Sequence, residues 1–366
     1  MPFSPAKRKD TLSGIVFVAI FAAAATMIAD LSFVKNMGIS PLVVGIVLGI
    51  FYANTLHSKT PTGWEGGITF SGKKILRFAI VFYGFRITFQ QIAEVGIQGF
   101  MVSLLVLSST MMLGIWLGTK LFKMDRDTAI LTASGASVCG AAAVLATEPV
   151  LKSEDYKTAV AVSMVVLFGT ISMFLYPVLY ATIIQPATGF LHMEPSTFGM
   201  YVGGTIHEVA QVVAVPASVP GAGESMANTA VIVKMTRVIM IAPMLIVLGL
   251  VMSMMAKRSG SEGGKLQLVI PWFAVYFIGM AGLNSLIHNY TLTAPVEMAD
   301  MIKGIIGNIN LIDTFLLTMA MSALGMGTRF AKFKGLGLAP LYTAGSMFLW
   351  LVVGGFVITQ WVVVTF

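Results

Sequence analysis

Gly203-Gly204-Thr205-Ile206-His207-Glu208-Val209-Ala210-Gln211 sets an imidazole and a carboxylate in the middle of an apolar run. Whether those two groups stand in water or in hydrocarbon decides how the whole chain is read. Of its 366 residues 57% are hydrophobic and only 11% charged, with a mean hydropathy of +0.87, where a soluble domain carries about 25% charged residues. Apolar runs of about 20 residues, each enough to cross a hydrocarbon core of about 30 Å, recur from end to end. The expectation is an all-α polytopic membrane protein, a single membrane domain over 1–366 with short loops.

Hydropathy places eleven spans near 13–33, 39–54, 72–91, 99–121, 128–150, 156–184, 197–216, 226–256, 266–288, 295–328 and 341–365. With a cytoplasmic N-terminus, 16 of the 23 Lys and Arg fall on the cytoplasmic side and 4 on the other. That asymmetry supports both the span count and the orientation. It also accounts for the net charge of +7 without nucleic acid. Lys7-Arg8-Lys9 ahead of an apolar segment is also how a signal peptide begins, but ten further spans favour a retained first helix. Cys139 is the only cysteine, which excludes an internal disulfide and a Cys-based zinc cluster.

Three basic residues, Arg86, Lys234 and Arg237, lie inside expected spans, against the acids Glu208 and Asp313. Buried charge needs partners or water, and three positive against two negative leaves room for an anionic guest, unless the basic side chains snorkel out. Lys234 and Arg237, three apart on one helix face, either bind an anion or pair with acids such as Glu208. Arg86 is a candidate anion ligand or an interfacial anchor.

His207-Glu208 is one residue short of the H-E-x-x-H zinc motif, because Gln211 stands where the second imidazole is required. No metal site is expected, although an integral-membrane enzyme using His207 and Glu208 remains the alternative from another class. On a continuous helix His207, Glu208 and Gln211 share one side. Buried carboxylates and imidazoles can change charge at physiological pH, so His207 or Glu208 is a candidate carrier of a coupling proton, with Gln211 completing the candidate coupling ion or proton site. The static account has Glu208 neutralising Lys234 or Arg237.

Thr132-Ala133-Ser134-Gly135-Ala136-Ser137-Val138-Cys139-Gly140-Ala141-Ala142-Ala143 is too small and glycine-rich for a lipid-facing helix. A helix broken here would aim backbone N–H groups at an anion, which makes Ser134, Gly135, Ser137, Cys139 and Gly140 candidate substrate ligands. The competing reading is a packing seam. The tenth span carries Gly304, Gly307, Asn308 and Asn310 before Asp313, and is expected to be interrupted in the same way. Asn308, Asn310 and Asp313 are then ligands for a coupling cation or polar supports. An offset of 186 residues aligns Thr128–Thr132 with Thr314–Thr318. That alignment suggests one extra helix (13–33) followed by two inverted five-helix repeats, 39–184 and 197–365, with discontinuous crossing helices. Such repeats point to a secondary transporter with a midplane site.

Gly135 through Ala143, Phe168-Gly169-Thr170-Ile171-Ser172-Met173-Phe174-Leu175-Tyr176-Pro177, Gly203 through Val212, Lys234 with Arg237, and Pro271-Trp272-Phe273 together resemble the YeiH-type sulfate-exporter family of bacterial membrane proteins. The resemblance runs from about the second span onward. It implies a fold similar to the sodium/proton antiporter and bile-acid symporter superfamily, with panel and core domains moving in an elevator-like cycle, in the bacterial cytoplasmic (inner) membrane. It leaves the substrate open.

The expected function is secondary active transport of a small inorganic or organic anion, sulfate- or sulfonate-like, coupled to protons or sodium. A cation/proton antiporter is the alternative, with Glu208 and Asp313 binding the ion and the basic residues structural. No cofactor and no nucleotide-driven step are expected, since no phosphate-binding loop is present. The expected partners are the small anion, H+ or Na+, and the lipid bilayer; a homodimer is compatible with the sequence.

Overall fold

In a computed structural model that describes residues 7–36, 40–56, 60–258, 272–329, 331 and 337–366, the chain is helical throughout, with no strand among the described residues. Its helices are α1 (Arg8–Ala29), α2 (Ser32–Asn36), α3 (Pro41–Thr55), α4 (Glu65–Phe70), α5 (Leu76–Tyr83), α6 (Phe89–Trp116), α7 (Arg126–Ser137) and α8 (Ala141–Leu151), then α9 (Asp155–Leu179), α10 (Pro195–Thr205), α11 (Val209–Ala214), α12 (Gly223–Ile239), α13 (Ile241–Arg258), α14 (Trp272–Thr293), α15 (Val296–Gly327) and α16 (Leu338–Thr365). Among the described residues, six helical stretches are long and apolar enough to cross a membrane, where eleven spans were expected. The stretches expected at 39–54, 128–150 and 197–216 are shorter or split helices.

Local sequence explains the ends. Pro41 and Pro195 open α3 and α10 at positions where the missing N–H costs nothing. The Asp125 carboxylate caps α7 by accepting from the N–H groups of Asp127 and Thr128, both at 3.2 Å. Pro177 precedes the end of α9, which widens into a π turn over Tyr180–Ile184.

The expected interruption of the tenth span is overturned: α15 runs unbroken through Gly304, Gly307, Asn308, Asn310 and Asp313. A Cβ at Gly304 or Gly307 would meet nothing within 4 Å, so neither glycine marks a close approach or a backbone break. Gly307 and its neighbours stay within an i to i−4 ladder at a propensity cost of about 1 kcal/mol each. The second interruption falls instead between α10 and α11, inside the stretch Gly203–Gln211.

The helices group into two compact units. One contains residues 1–94, 217–221 and 272–331, and the other 95–216, 222–271 and 332–366. In the first, Val18, Ala22, Tyr52, Ile68, Met319, Ala323 and Met326 form an apolar core among α1, α3, α4 and α15. Gly49 of α3 and Gly325 of α15 lie so close that a Cβ on either would overlap the other helix's backbone. In the second, Val102, Val106, Ala133, Ala136, Met347, Leu351 and Val362 join α6, α7 and α16.

A crossing of two interrupted helices

Within the second unit, two chain breaks meet. The first lies between α7 and α8, where Val138 leaves helical geometry and Gly140 takes φ +73°, a conformation that favours glycine. The second lies between α10 and α11, where Ile206 and Glu208 are extended. Each break exposes carbonyls at one helix end and N–H groups at the start of the next, groups that a bilayer cannot satisfy.

Two side chains of α12 take the carbonyls. Lys234 Nζ donates to Val138 O (2.7 Å), Ile206 O (2.7 Å) and His207 O (2.8 Å). Arg237 donates from Nε to Ser137 O (2.6 Å), from Nη1 to Gly204 O (2.6 Å) and from Nη2 to Ala136 O (2.7 Å). Each break contributes three carbonyls, and both cations are 0% exposed. An ammonium has three donors, so Lys234 is saturated. Two positive charges therefore sit at the negative ends of two helices, where each is stabilised by the helix dipole. The pairing differs from both sequence expectations, which gave these residues an anion or an acid.

The N–H groups converge on Glu208. Ala141 N, the first of α8, donates to Glu208 Oε1 at 2.8 Å. Glu208 is at once the N-cap of α11, accepting from the Gln211 N–H, while Gln211 Oε1 accepts from Glu208 N at 3.1 Å. This reciprocal capping box replaces the shared helix face expected for His207, Glu208 and Gln211, because the chain is extended, not helical, at Glu208. A Cβ on Gly140 would overlap the Glu208 carboxylate, and one on Gly169 of α9 would overlap the Gln211 amide. Both glycines hold open the space these side chains fill. Glu208 and Ala141 are partly exposed, in contrast to the sealed cations.

The remaining candidates divide clearly. The Ser134 and Ser137 hydroxyls donate back to carbonyls of their own helix, Leu131 O (2.8 Å) and Ser134 O (3.2 Å). Gly135 packs against Val144 and Val165, as a seam residue would. Cys139 and His207 are buried, and His207 Nδ1 has no hydrogen-bond partner. Tyr176, stacked on Tyr201 at 4.8 Å, donates to Thr205 Oγ1 at 2.9 Å and steadies the end of α10.

Arg86, Asn310 and Asp313 are brought together in the first unit. α5 ends at Tyr83, and a short turn over Gly84–Arg86 leads to extended Ile87. Asn284 Nδ2 and Ser285 Oγ on α14 satisfy Ile87 O (3.1 Å) and Phe89 N (2.7 Å). Arg86 Nη2 donates to Asn310 O (2.6 Å) and Thr314 Oγ1 (2.8 Å) and lies 3.3 Å from Asp313 Oδ2. Asp313 is 1% exposed, and both its carboxylate oxygens and Asn310 Oδ1 lack a hydrogen-bond donor. Asn308 is exposed and outside the cluster.

Sequence reasoning missed the Ala141 N–H, Gly169 and the carbonyl acceptors. Only Glu208-x-x-Gln211, a capping-box spacing ahead of an apolar run, carried a readable signal for the second break.

Comparison with known proteins gives a consistent picture. The family model described as Conserved hypothetical protein 698 matches residues 13–344. A UPF0324 membrane protein of Pseudomonas putida is 46% identical over 348 residues, covering 95% of this chain and 92% of the relative. One of Bacteroides thetaiotaomicron is 43% identical over 355 residues, 96% and 98% of the two chains. The UPF0324 inner membrane protein YeiH of Salmonella typhimurium is 42% identical over 344 residues, 94% and 92%. No solved structure matches.

Proposed function

The chain belongs to the UPF0324 membrane protein family that includes YeiH, and from that premise we propose that it is a secondary active transporter of a small sulfate- or sulfonate-like anion in the bacterial inner membrane, with its N-terminus cytoplasmic. The observation that carries the reading is the charge balance of the crossing. Lys234 and Arg237 supply two positive charges where two helix C-termini offer roughly half a negative charge each. Glu208 supplies one negative charge where two N-termini offer about the same total of positive charge. The crossing is left with about one positive charge in excess, which a bound anion would offset.

The substrate position is the accessible end of the crossing, at Ala141 N–H and Glu208, rather than the buried cations. Lys234 and Arg237 set the field; Gly140 and Gly169 keep the space open. Broken helices at a polar centre are the architecture by which secondary transporters bind ions in mid-membrane.

A second reading, a cation/proton antiporter, is favoured by one observation: the donors of Lys234 and Arg237 are engaged by backbone carbonyls, as structural cations would be. Purified protein in vesicles distinguishes the two. Saturable exchange of labelled sulfate or methanesulfonate, absent from protein-free vesicles, is expected. Sodium-driven proton flux with no anion exchange would replace this reading by the second.

A further inference from the structure

The Glu208 carboxylate occupies the place at which a substrate anion would be recognised. Its Oε1 lies 2.8 Å from the first N–H of α8, and a Cβ on Gly140 would have to pass through it. It is tethered through the capping box on α11, yet a Glu side chain has rotamers that swing the carboxylate away from Ala141; its bond from the Gln211 N–H is then given up, while Glu208 N still donates to Gln211 Oε1. It is partly exposed while the two cations beneath it are sealed. Next to it in the chain, His207 is buried and its Nδ1 has no hydrogen-bond partner. Among the described residues, the charged and titratable groups near Glu208 include Lys234 on α12 and the Cys139 thiol ahead of α8, with Arg237 and His207 within electrostatic reach of Lys234. From α9 it meets Gly169 through Gln211.

We infer that Glu208 is a built-in competitor of the transported anion: carboxylate and substrate alternate at the Ala141 N–H, and a proton on Glu208 is what releases the position. This rests on the anion reading above and adds to it the residue and the coupling rule. The balance is simple. A proton from the aqueous side neutralises the carboxylate, the neutral side chain leaves, and the anion takes the vacated donor. One proton is taken up per monovalent anion bound, so proton and anion travel together and no second coupling site is required.

Anion binding should therefore weaken about tenfold per pH unit above the titration range of Glu208, by linkage of one proton. The test is titration of the purified full-length protein with sulfate and with methanesulfonate from pH 5 to pH 9, read by thermal shift and calorimetry. Glu208→Gln carries no charge, and Glu208→Ser keeps a favourable N-cap for α11 while being too short to reach Ala141. Both variants are expected to bind with little pH dependence, and at pH 8 at least tenfold more tightly than the parent. In vesicles both should exchange anions without moving protons. A parent that binds anions equally well at all pH values, or folded variants that keep the parent's pH dependence or bind no anion, would overturn the competition and leave the anion reading standing. A parent that binds neither anion at any pH overturns both.

Discussion

Single charged side chains in this protein work on backbone as much as on one another. Arg86 and Asp313 show the ordinary case, a pair at 3.3 Å with the acid wholly buried. Removing one partner leaves an unpaired buried charge, which typically costs 3–5 kcal/mol, whereas replacing both is far milder. Arg86→Met should therefore lower the unfolding temperature sharply in detergent, and Arg86→Met with Asp313→Leu should recover most of the loss; additive effects would refute the coupling. Asp125, outside the spans, is a second test. Burial pushes its carboxyl up, but hydrogen bonds from Thr128 and Lys157 outweigh this and hold it below the usual carboxylate range. A depressed folded value gives stability that is present above the unfolded value near 3.9 and lost as pH falls through the folded one. Asp125→Ala should cost about 1 kcal/mol at pH 7, with parent and variant converging under acid. The sequence made the embedded charges plain, because Lys234, Arg237 and Glu208 stand out among apolar letters. It did not reveal what they touch, since a carbonyl or an amide has no letter of its own.

Helix breaks are legible when they are written in side chains and opaque when written in caps. Thr132–Ala143 announced itself by its small residues, and the structure breaks there. The second break lies at Ile206–Glu208 and not at Gly304–Asp313, where glycine and asparagine suggest an interruption by composition alone. The difference is physical: Gly140 has a positive φ and a carboxylate where its Cβ would be, while Gly307 has neither. Gly140→Ala should thus lose about 1–3 kcal/mol from backbone strain alone and displace Glu208, whereas Gly307→Ala should be neutral or stabilising by up to about 1 kcal/mol. Thermal unfolding of the two variants side by side checks this. Equal effects would mean that the break at Gly140 is not what positions the carboxylate.

At the scale of the whole molecule, hydropathy sufficed to read an all-helical membrane protein, and the family resemblance held over nearly the entire chain. The grouping of helices was not readable. Each compact unit takes elements from both halves of the sequence, and contacts between distant segments leave no periodic trace in either. The chain passes between the units within α6, where Gly96, at φ 35° and ψ −129°, interrupts the helical backbone next to the boundary. The carbonyls of Ala136, Ser137 and Val138 carry a further consequence, for biosynthesis. They leave the ribosome 96 to 101 residues ahead of the cations that satisfy them, and in lipid each orphaned group costs several kcal/mol. Until α12 emerges, the interrupted α7–α8 segment is expected to lack a settled place in hydrocarbon and to depend on the insertion machinery or on water for shelter. A nascent chain halted after α11 should stay crosslinkable to the translocon and turn over quickly, and one extended through α13 should be released. Membrane insertion of these interrupted helices is expected to wait for Lys234 and Arg237.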